Sequence, residues 1–414
     1  MSLRLKYKLE FNFIIYLVGK IISAGVIIGS IPLFIKYFGI KVYGEFIYFY
    51  TSFLMLFAGS TGWIVQGILR FYTLENNRKK MKQEIDQMSF RSFLVSSLII
   101  VGFFIYSKAD AILIALAVLS LFFSLFYTTK LTIEQALLKS TNYIIADISR
   151  SLSFLATPLI IYYAFPYLNG LHVLFFGVLL SYITSLMILS NFKIVIPKFN
   201  LNFKMRWSKI FLKYGLPLSI WLFFSPTTNG ADRYVIEFSI GTILLAKYTA
   251  IFDIVFKMFS SLATPFNAIA QPLLIKNYND RDFSEYRKTM YKSILYLTGI
   301  FVIFLMVVLI FQKFIICKYL NFCGDYDLLS KLIIPFATSS YIWQIAVLLQ
   351  KNMEVSNKTI EMTIYMLIVV TVIIVLGIIF VPIYGLLGSA YISLLASIIY
   401  FALIIYGTKK HFKK

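Results

Sequence analysis

Charge is scarce in this chain: only 14% of its 414 residues are Asp, Glu, Lys or Arg, against about 25% in an ordinary soluble domain. Histidine is nearly absent, with His172 and His411 alone, and neither has neighbours that would suit acid–base or metal chemistry. The sequence holds no P-loop, no Rossmann glycine fingerprint, no HExxH and no Cys or His cluster, so metal sites and nucleophilic catalysis have no support. Long polar segments are missing too, which leaves no room for a folded domain outside the apolar stretches. Only two cysteines occur, Cys317 and Cys323, in or beside an expected outward loop. An oxidising compartment could join them there, and two unpaired thiols fit the six-residue spacing as well.

What is abundant is apolar surface, at 60% of residues. A helix that crosses a bilayer needs about 20 predominantly apolar residues, and such stretches follow one another almost end to end. The first six are expected at 12–38, 43–69, 90–107, 111–129, 143–165 and 172–190. The second six are expected at 214–238, 248–275, 293–316, 332–350, 359–381 and 385–407. Only Lys108, Ala109 and Asp110 separate the third from the fourth, so a single re-entrant hairpin competes with two spans at that place. The first stretch is too long for a signal-peptide core and reads as a retained helix.

A net charge of +21 would suggest nucleic acid in a soluble protein. Here most of the 39 Lys and Arg residues fall in alternate loops and the two tails. That asymmetry is the positive-inside pattern; it places both termini in the cytoplasm and excludes nucleic acid as a partner. The 191–213 loop mixes Lys and Arg with Phe and Trp and reads as an amphipathic stretch on the inner membrane face. It divides the chain into an N-terminal six-helix lobe at 1–190 and a C-terminal one at 214–414. Two lobes of the same orientation form a parallel pseudo-repeat, one of the recurring plans of secondary transporters. IPLFIKYFGIKVYGEFIYFY and YVIEFSIGTILLAKYTAIFD support the division, each with an apolar run, a Gly-containing outward turn and a Tyr opening the next helix.

Helix breakers concentrate in the leading spans of each half: Gly25, Gly29 and Pro32; Pro217, Pro226 and Gly230; Pro265 and Pro272. Freed backbone groups are tolerated in lipid only against protein or a water-filled cavity, so Pro217, Pro226 and Gly230, beside the polar run SPTTNGADR, are expected to line a path. Ionisable residues inside or at the edge of spans are Lys20, Arg150, Arg233, Lys247 and Lys257, with Asp147, Asp232, Glu237 and Asp253. Each costs about 2.5–3.5 kcal/mol at mid-bilayer. One reading makes Lys20, Arg150, Arg233 and Lys257 successive contacts for an anionic substrate such as a pyrophosphate. The other has Lys20 and Lys247 snorkel to the headgroups, while Asp147 with Arg150 and Asp253 with Lys257 pair along their own helices. Snorkelling is preferred for Lys247. Asp147, Asp232 and Asp253 could alternatively bind a coupling proton or sodium ion.

The segment YGLPLSIWLFFSPTTNGADRYVIEFSIGTILLAKYTAIFDIVFKMFSSLATPFNAIAQPLL resembles the polysaccharide-biosynthesis, O-antigen flippase family of the multidrug/oligosaccharidyl-lipid/polysaccharide (MOP) exporter superfamily. The matching positions are Gly215, Pro217, Asp232, Arg233, Tyr248 and Pro272; GKIISAGVIIGSIPLFIKYFGIKVYGEF, LLKSTNYIIADISRS and YGLLGSAYISLLASIIY look like its first, fifth and final helices. Lys247 departs from the family, in which a small residue often precedes the Tyr. The resemblance implies a monomer in the bacterial cytoplasmic membrane that moves undecaprenyl-pyrophosphate-linked oligosaccharide units by alternating access. Membrane lipids, a polysaccharide polymerase and chain-length machinery would be its partners. The rival functions are a drug or cation exporter of the same superfamily and a membrane glycan polymerase. The first predicts a carboxylate-dominated cavity, the second a substantial outward loop.

Overall fold

The computed structural model describes residues 3–73, 75–137, 139–191, 206–225, 231–356 and 358–412, all helix or short turn. The chain is an all-helical, multi-pass membrane protein. The first six helices are α1 (Leu3–Phe38), α2 (Ile40–Phe71), α3 (Arg78–Tyr106), α4 (Ala111–Ala136), α5 (Ser140–Ala164) and α6 (Gly170–Leu189). They are followed by α7 (Trp207–Phe224), α8 (Asp232–Ile240), α9 (Thr242–Phe252) and α10 (Met258–Asn279). The last three are α11 (Phe283–Lys313), α12 (Tyr326–Val355) and α13 (Thr359–Phe412). Among the described residues nine helices are long and apolar enough to cross a membrane. The last of these holds two of the expected spans, because Gly385 (φ 59°, ψ −141°) breaks α13 internally. The expected seventh span corresponds to α7 and α8, and the eighth to α9 and α10 around a π-helical turn at Asp253–Lys257.

The third and fourth spans are two helices, and the re-entrant hairpin is not what the chain forms. Between them Lys108 takes a left-handed conformation (φ 58°), and the Ser107, Lys108 and Ala109 amides bond back to the carbonyls of Phe103, Ile105 and Phe104. The Asp110 carboxylate then caps α4 by accepting from the Leu113 amide at 2.8 Å. Helices α3 and α11 begin well before the expected 90 and 293. Asn77 and Asp282 cap them by accepting from the amides of Lys80 and Glu285, so regular backbone continues through polar sequence. Residues 192–205, most of the expected amphipathic linker, lie outside the described residues, as do Pro226 and Gly230. Helix α7 starts at Trp207, so the end of that linker is helical. Pro32 and Pro217 sit inside α1 and α7.

The chain divides into two compact units: 1–30 with 45–229, and 31–44 with 230–414. These limits differ from 190 and 214: α7 groups with the first unit, and the α1–α2 turn with the second. In the first unit α7 lies against α2 through glycines. A side chain at Gly215 would meet the Trp63 carbonyl oxygen at 2.4 Å, and one at Gly67 would meet the Phe211 ring. Ser219 of α7 donates to the Gly59 carbonyl and accepts from the Trp63 amide. An apolar core of Ile64, Ile68, Met81, Ile85, Met88 and Phe211 surrounds this contact. The second unit has its own core, including Ala263, Leu274, Leu297 and Leu348.

The two sequence segments that resemble each other adopt the same turn. Gly39 (φ 86°) and Gly241 (φ 90°) both take left-handed backbone, which a β-carbon disfavours. Each amide bonds back to the preceding helix (Ile35, Ile236), and each carbonyl accepts from the next (Tyr43, Leu245).

Cys317 and Cys323 form a disulfide, Cα–Cα 4.1 Å, across the turn between α11 and α12. Alkylating the oxidised, denatured protein is expected to modify neither cysteine until reductant is added, followed by mass spectrometry; labelling of both without reductant contradicts the pairing. Replacing Gly215 by Ala is expected to destabilise the detergent-solubilised protein by about 1–3 kcal/mol through overpacking. Gly25→Ala, with nothing within 4 Å of the added carbon, is expected to leave the thermal midpoint unchanged.

Candidate functional sites: one carboxylate between two cations in each unit

In the first unit, α1 and α5 bring three charges together. Asp147 accepts from the Lys20 Nζ at 2.9 Å through one oxygen, and its other oxygen lies 3.6 Å from the Arg150 guanidinium. The Asp147 side chain is only 6% exposed, whereas Lys20 keeps 31%. Tyrosines surround the group: Lys20 Nζ is 5.0 Å from the Tyr143 ring centroid, and the Arg150 guanidinium carbon is 6.0 Å from that of Tyr182. The pairing along α5 was expected. The contact from α1 to α5 was not, and it replaces snorkelling as the account of Lys20.

The second unit repeats the arrangement with different helices. Asp253 accepts from Arg233 of α8 at 2.8 Å and from Lys257 at 3.0 Å, both through the same oxygen. Asp253 and Lys257 lie on the π-helical turn, a backbone feature often found at functional sites. The Arg233 guanidinium also sits 5.6 Å from the Phe252 ring centroid.

Beside Arg233, the 5%-exposed Asp232 makes a separate cluster. Tyr248 donates its hydroxyl to one Asp232 oxygen, and Ser393 donates to the same oxygen at 3.2 Å. Ser389 in turn donates to the Tyr248 hydroxyl at 3.2 Å. The other Asp232 oxygen is buried and has no hydrogen-bond partner among the described residues. Sequence reading singled out Asp232 and Tyr248 but missed the serines. Their signal was the four-residue spacing of Ser389, Ser393 and Ser397, which puts three hydroxyls on one face of α13.

Other predicted positions fall elsewhere. Lys247 pairs with Asp325 at 2.5 Å, beside the disulfide, so an ion pair and not a headgroup accounts for it. Glu237 accepts from the Thr242 hydroxyl at 2.7 Å. Pro217 lies in α7, and the structure gives it no place in either charge cluster. Among the described residues no three His, Cys, Asp or Glu side chains gather as metal ligands would.

The two triads share a composition. In each triad one carboxylate faces a Lys and an Arg, and in the second unit the buried Asp232 lies next to Arg233 as well. Asp147→Asn and Asp253→Asn strand two cations apiece and are each expected to cost about 3–5 kcal/mol of stability. Lys20→Met in the Asp147→Asn background is expected to restore part of that loss in unfolding measurements in detergent. A neutral single Asn variant would contradict the pairing.

No protein-family model matches the sequence, and a comparison with curated proteins finds no match. Solved structures do match. The chain is similar to the lipid II flippase MurJ in an inward closed conformation, at 17% identity and TM-score 0.68, covering 99% of this chain and 88% of that one. It is also similar to a multidrug resistance MATE family transporter of the MOP superfamily. The inward-facing form matches at 14% identity and TM-score 0.64, covering 96% of each chain. The outward-facing form matches at 14% and TM-score 0.62, covering 97% of this chain and 96% of that one. The chain therefore has the all-helical membrane fold of these solved structures.

Proposed function

We propose that the protein is a lipid-linked oligosaccharide flippase. In this reading it translocates undecaprenyl-pyrophosphate-linked repeat units of O-antigen or a related surface polysaccharide across the bacterial cytoplasmic membrane by alternating access. The observation that carries the reading is the pair of triads, Lys20–Asp147–Arg150 and Arg233–Asp253–Lys257, each with more positive than negative charge. A pyrophosphate entering such a site meets two cations for each carboxylate of the triad. The shared carboxylate keeps each cation from holding the ligand at full strength, so binding stays reversible, as transport requires. Likeness in fold to a flippase supports the class, and the positive-inside loops support cytoplasmic termini.

Coupling to a proton or sodium gradient falls on Asp232, whose buried oxygen lacks a partner among the described residues. Asp147 and Asp253 are occupied as counter-ions. Likeness to a multidrug transporter favours a drug or cation exporter as the second reading. Cationic cargo would be repelled by either triad, which ranks that reading lower.

In a deletion strain, undecaprenyl-linked single units are expected to accumulate on the cytoplasmic side, with surface glycan lost. Arg150→Ala and Lys257→Ala are expected to lower glycan export about tenfold or more at normal protein level, the size of one charge-assisted contact. Unchanged export in the fourfold Ala variant of Lys20, Arg150, Arg233 and Lys257 would remove the basis of the proposal.

A further inference from the structure

In the second unit, the turn between α11 and α12 carries the disulfide and, two residues beyond it, Asp325. Cys317 lies in a π-helical stretch, Phe314–Tyr319, that follows α11, and Cys323 opens a short 3₁₀ turn, Cys323–Asp325. The Asp325 amide bonds back to the Phe322 carbonyl at 3.0 Å. The disulfide thus ties down the first residue of the turn that ends on Asp325. Asp325 also occupies the N-cap position of α12, where an Asp side chain ordinarily accepts from an amide of the first helical turn. Here it caps no amide. Its carboxylate instead meets the Lys247 Nζ of α9 at 2.5 Å. Two roles therefore compete for one side chain: an ion pair to another helix, and a cap on its own.

The bond is open to a reactant. Cys323 and the following Gly324 are exposed, and Cys317 is half-buried. The turn lies one membrane span beyond the Lys- and Arg-rich 276–292 loop, on the side that the positive-inside pattern assigns to the exterior, where disulfides form and exchange. Lys247 immediately precedes Tyr248, the donor to Asp232, so the ion pair restrains the helix that serves that buried carboxylate.

We propose that the Cys317–Cys323 disulfide is a redox-sensitive clasp, open to a dithiol of the exterior compartment, that decides whether Asp325 holds Lys247. A thiolate of the dithiol attacks the exposed Cys323 sulfur, and the Cys317 sulfur leaves as a thiolate and takes a proton. The second thiol of the reductant then displaces Cys323. Two electrons and two protons reach the cysteines, and the dithiol leaves as a disulfide. With the cross-link gone, the 3₁₀ turn is held only by its own hydrogen bonds, Asp325 turns to cap α12, and Lys247 is released. Oxidation restores the pair.

Pulsed acetylation of the full-length protein in detergent with an amine-reactive ester, read at Lys247 by mass spectrometry, tests this. Lys247 of the oxidised wild type is expected to label about fivefold more slowly than after reduction with dithiothreitol, the effect of one partly exposed ion pair. Reoxidation is expected to return the slow rate. Asp325→Asn is expected to label at the fast rate in both redox states. Cys317→Ser combined with Cys323→Ser is expected to label fast with no response to reductant. Lys257, paired with Asp253 in the same unit, is expected to keep its rate throughout. Equal Lys247 labelling in the oxidised and reduced wild type overturns the proposal, as does slow labelling in oxidised Asp325→Asn. A rise at Lys257 equal to that at Lys247 also overturns it, since reduction would then loosen the unit as a whole. Labelling is measured without transport, so the result stands apart from the flippase reading.

Discussion

Everything distinctive about this protein depends on where a bilayer-spanning chain can keep charge. An isolated cation costs several kcal/mol in hydrocarbon and needs a partner. Here two aspartates serve four cations: Asp147 lies between Lys20 and Arg150, and Asp253 between Arg233 and Lys257. The economy is the point. Four carboxylates would have made two fully compensated networks, whereas here each triad holds two cations to one carboxylate, and in the second unit Asp232 stands next to Arg233. Tyr143, Tyr182 and Phe252 present ring faces to Lys20, Arg150 and Arg233, a softer compensation that does not cancel charge.

The backbone meets the same solvent constraint by a different route. In lipid every amide and carbonyl needs an internal partner, so chain reversals near the membrane must be tight and self-bonded. The turns at Gly39 and Gly241 use left-handed glycine to send amides back into one helix and carbonyls forward into the next. The π-helical turn at Asp253–Lys257 widens the backbone where both charged side chains must reach the same place. Glycines along α2 and Gly215 of α7 bring two backbones close enough for the Ser219 hydroxyl to bridge them.

The helices were legible because hydrocarbon imposes a single pattern: runs of about 20 apolar residues, punctuated by Lys and Arg on one side. Charge partners within a helix were legible too, since spacing alone places Asp147 under Arg150 and Asp253 under Lys257. What stayed hidden was contact across helices. Nothing near Lys20 in sequence points to Asp147, 127 residues away, and nothing near Lys247 points to Asp325. Helix ends were misjudged where polar sequence continued the helix, as at Arg78–Ser89, because hydropathy reports the solvent and not the backbone. The break between α3 and α4 rested on a left-handed Lys and an Asp cap, which composition does not register.

Repetition of the triad on unlike helices argues that net charge, and not a particular contact, is what the fold preserves. In the first unit the cations come from α1 and α5, with the carboxylate on a regular helix. In the second they come from α8 and the π-helical turn, and both use one carboxylate oxygen. On the flippase reading proposed above, different geometry with the same stoichiometry suits a mobile, multiply charged anion. Such a ligand is recognised by field and released as the field changes, and a rigid fork of hydrogen bonds would hold it too long. Asp232 fits the same logic from the other side. Its second oxygen, buried and without a hydrogen-bond partner among the described residues, belongs to the residue next to Arg233, and on the flippase reading proposed above it is where a small cation or proton would alter the charge of the second unit without disturbing Asp253.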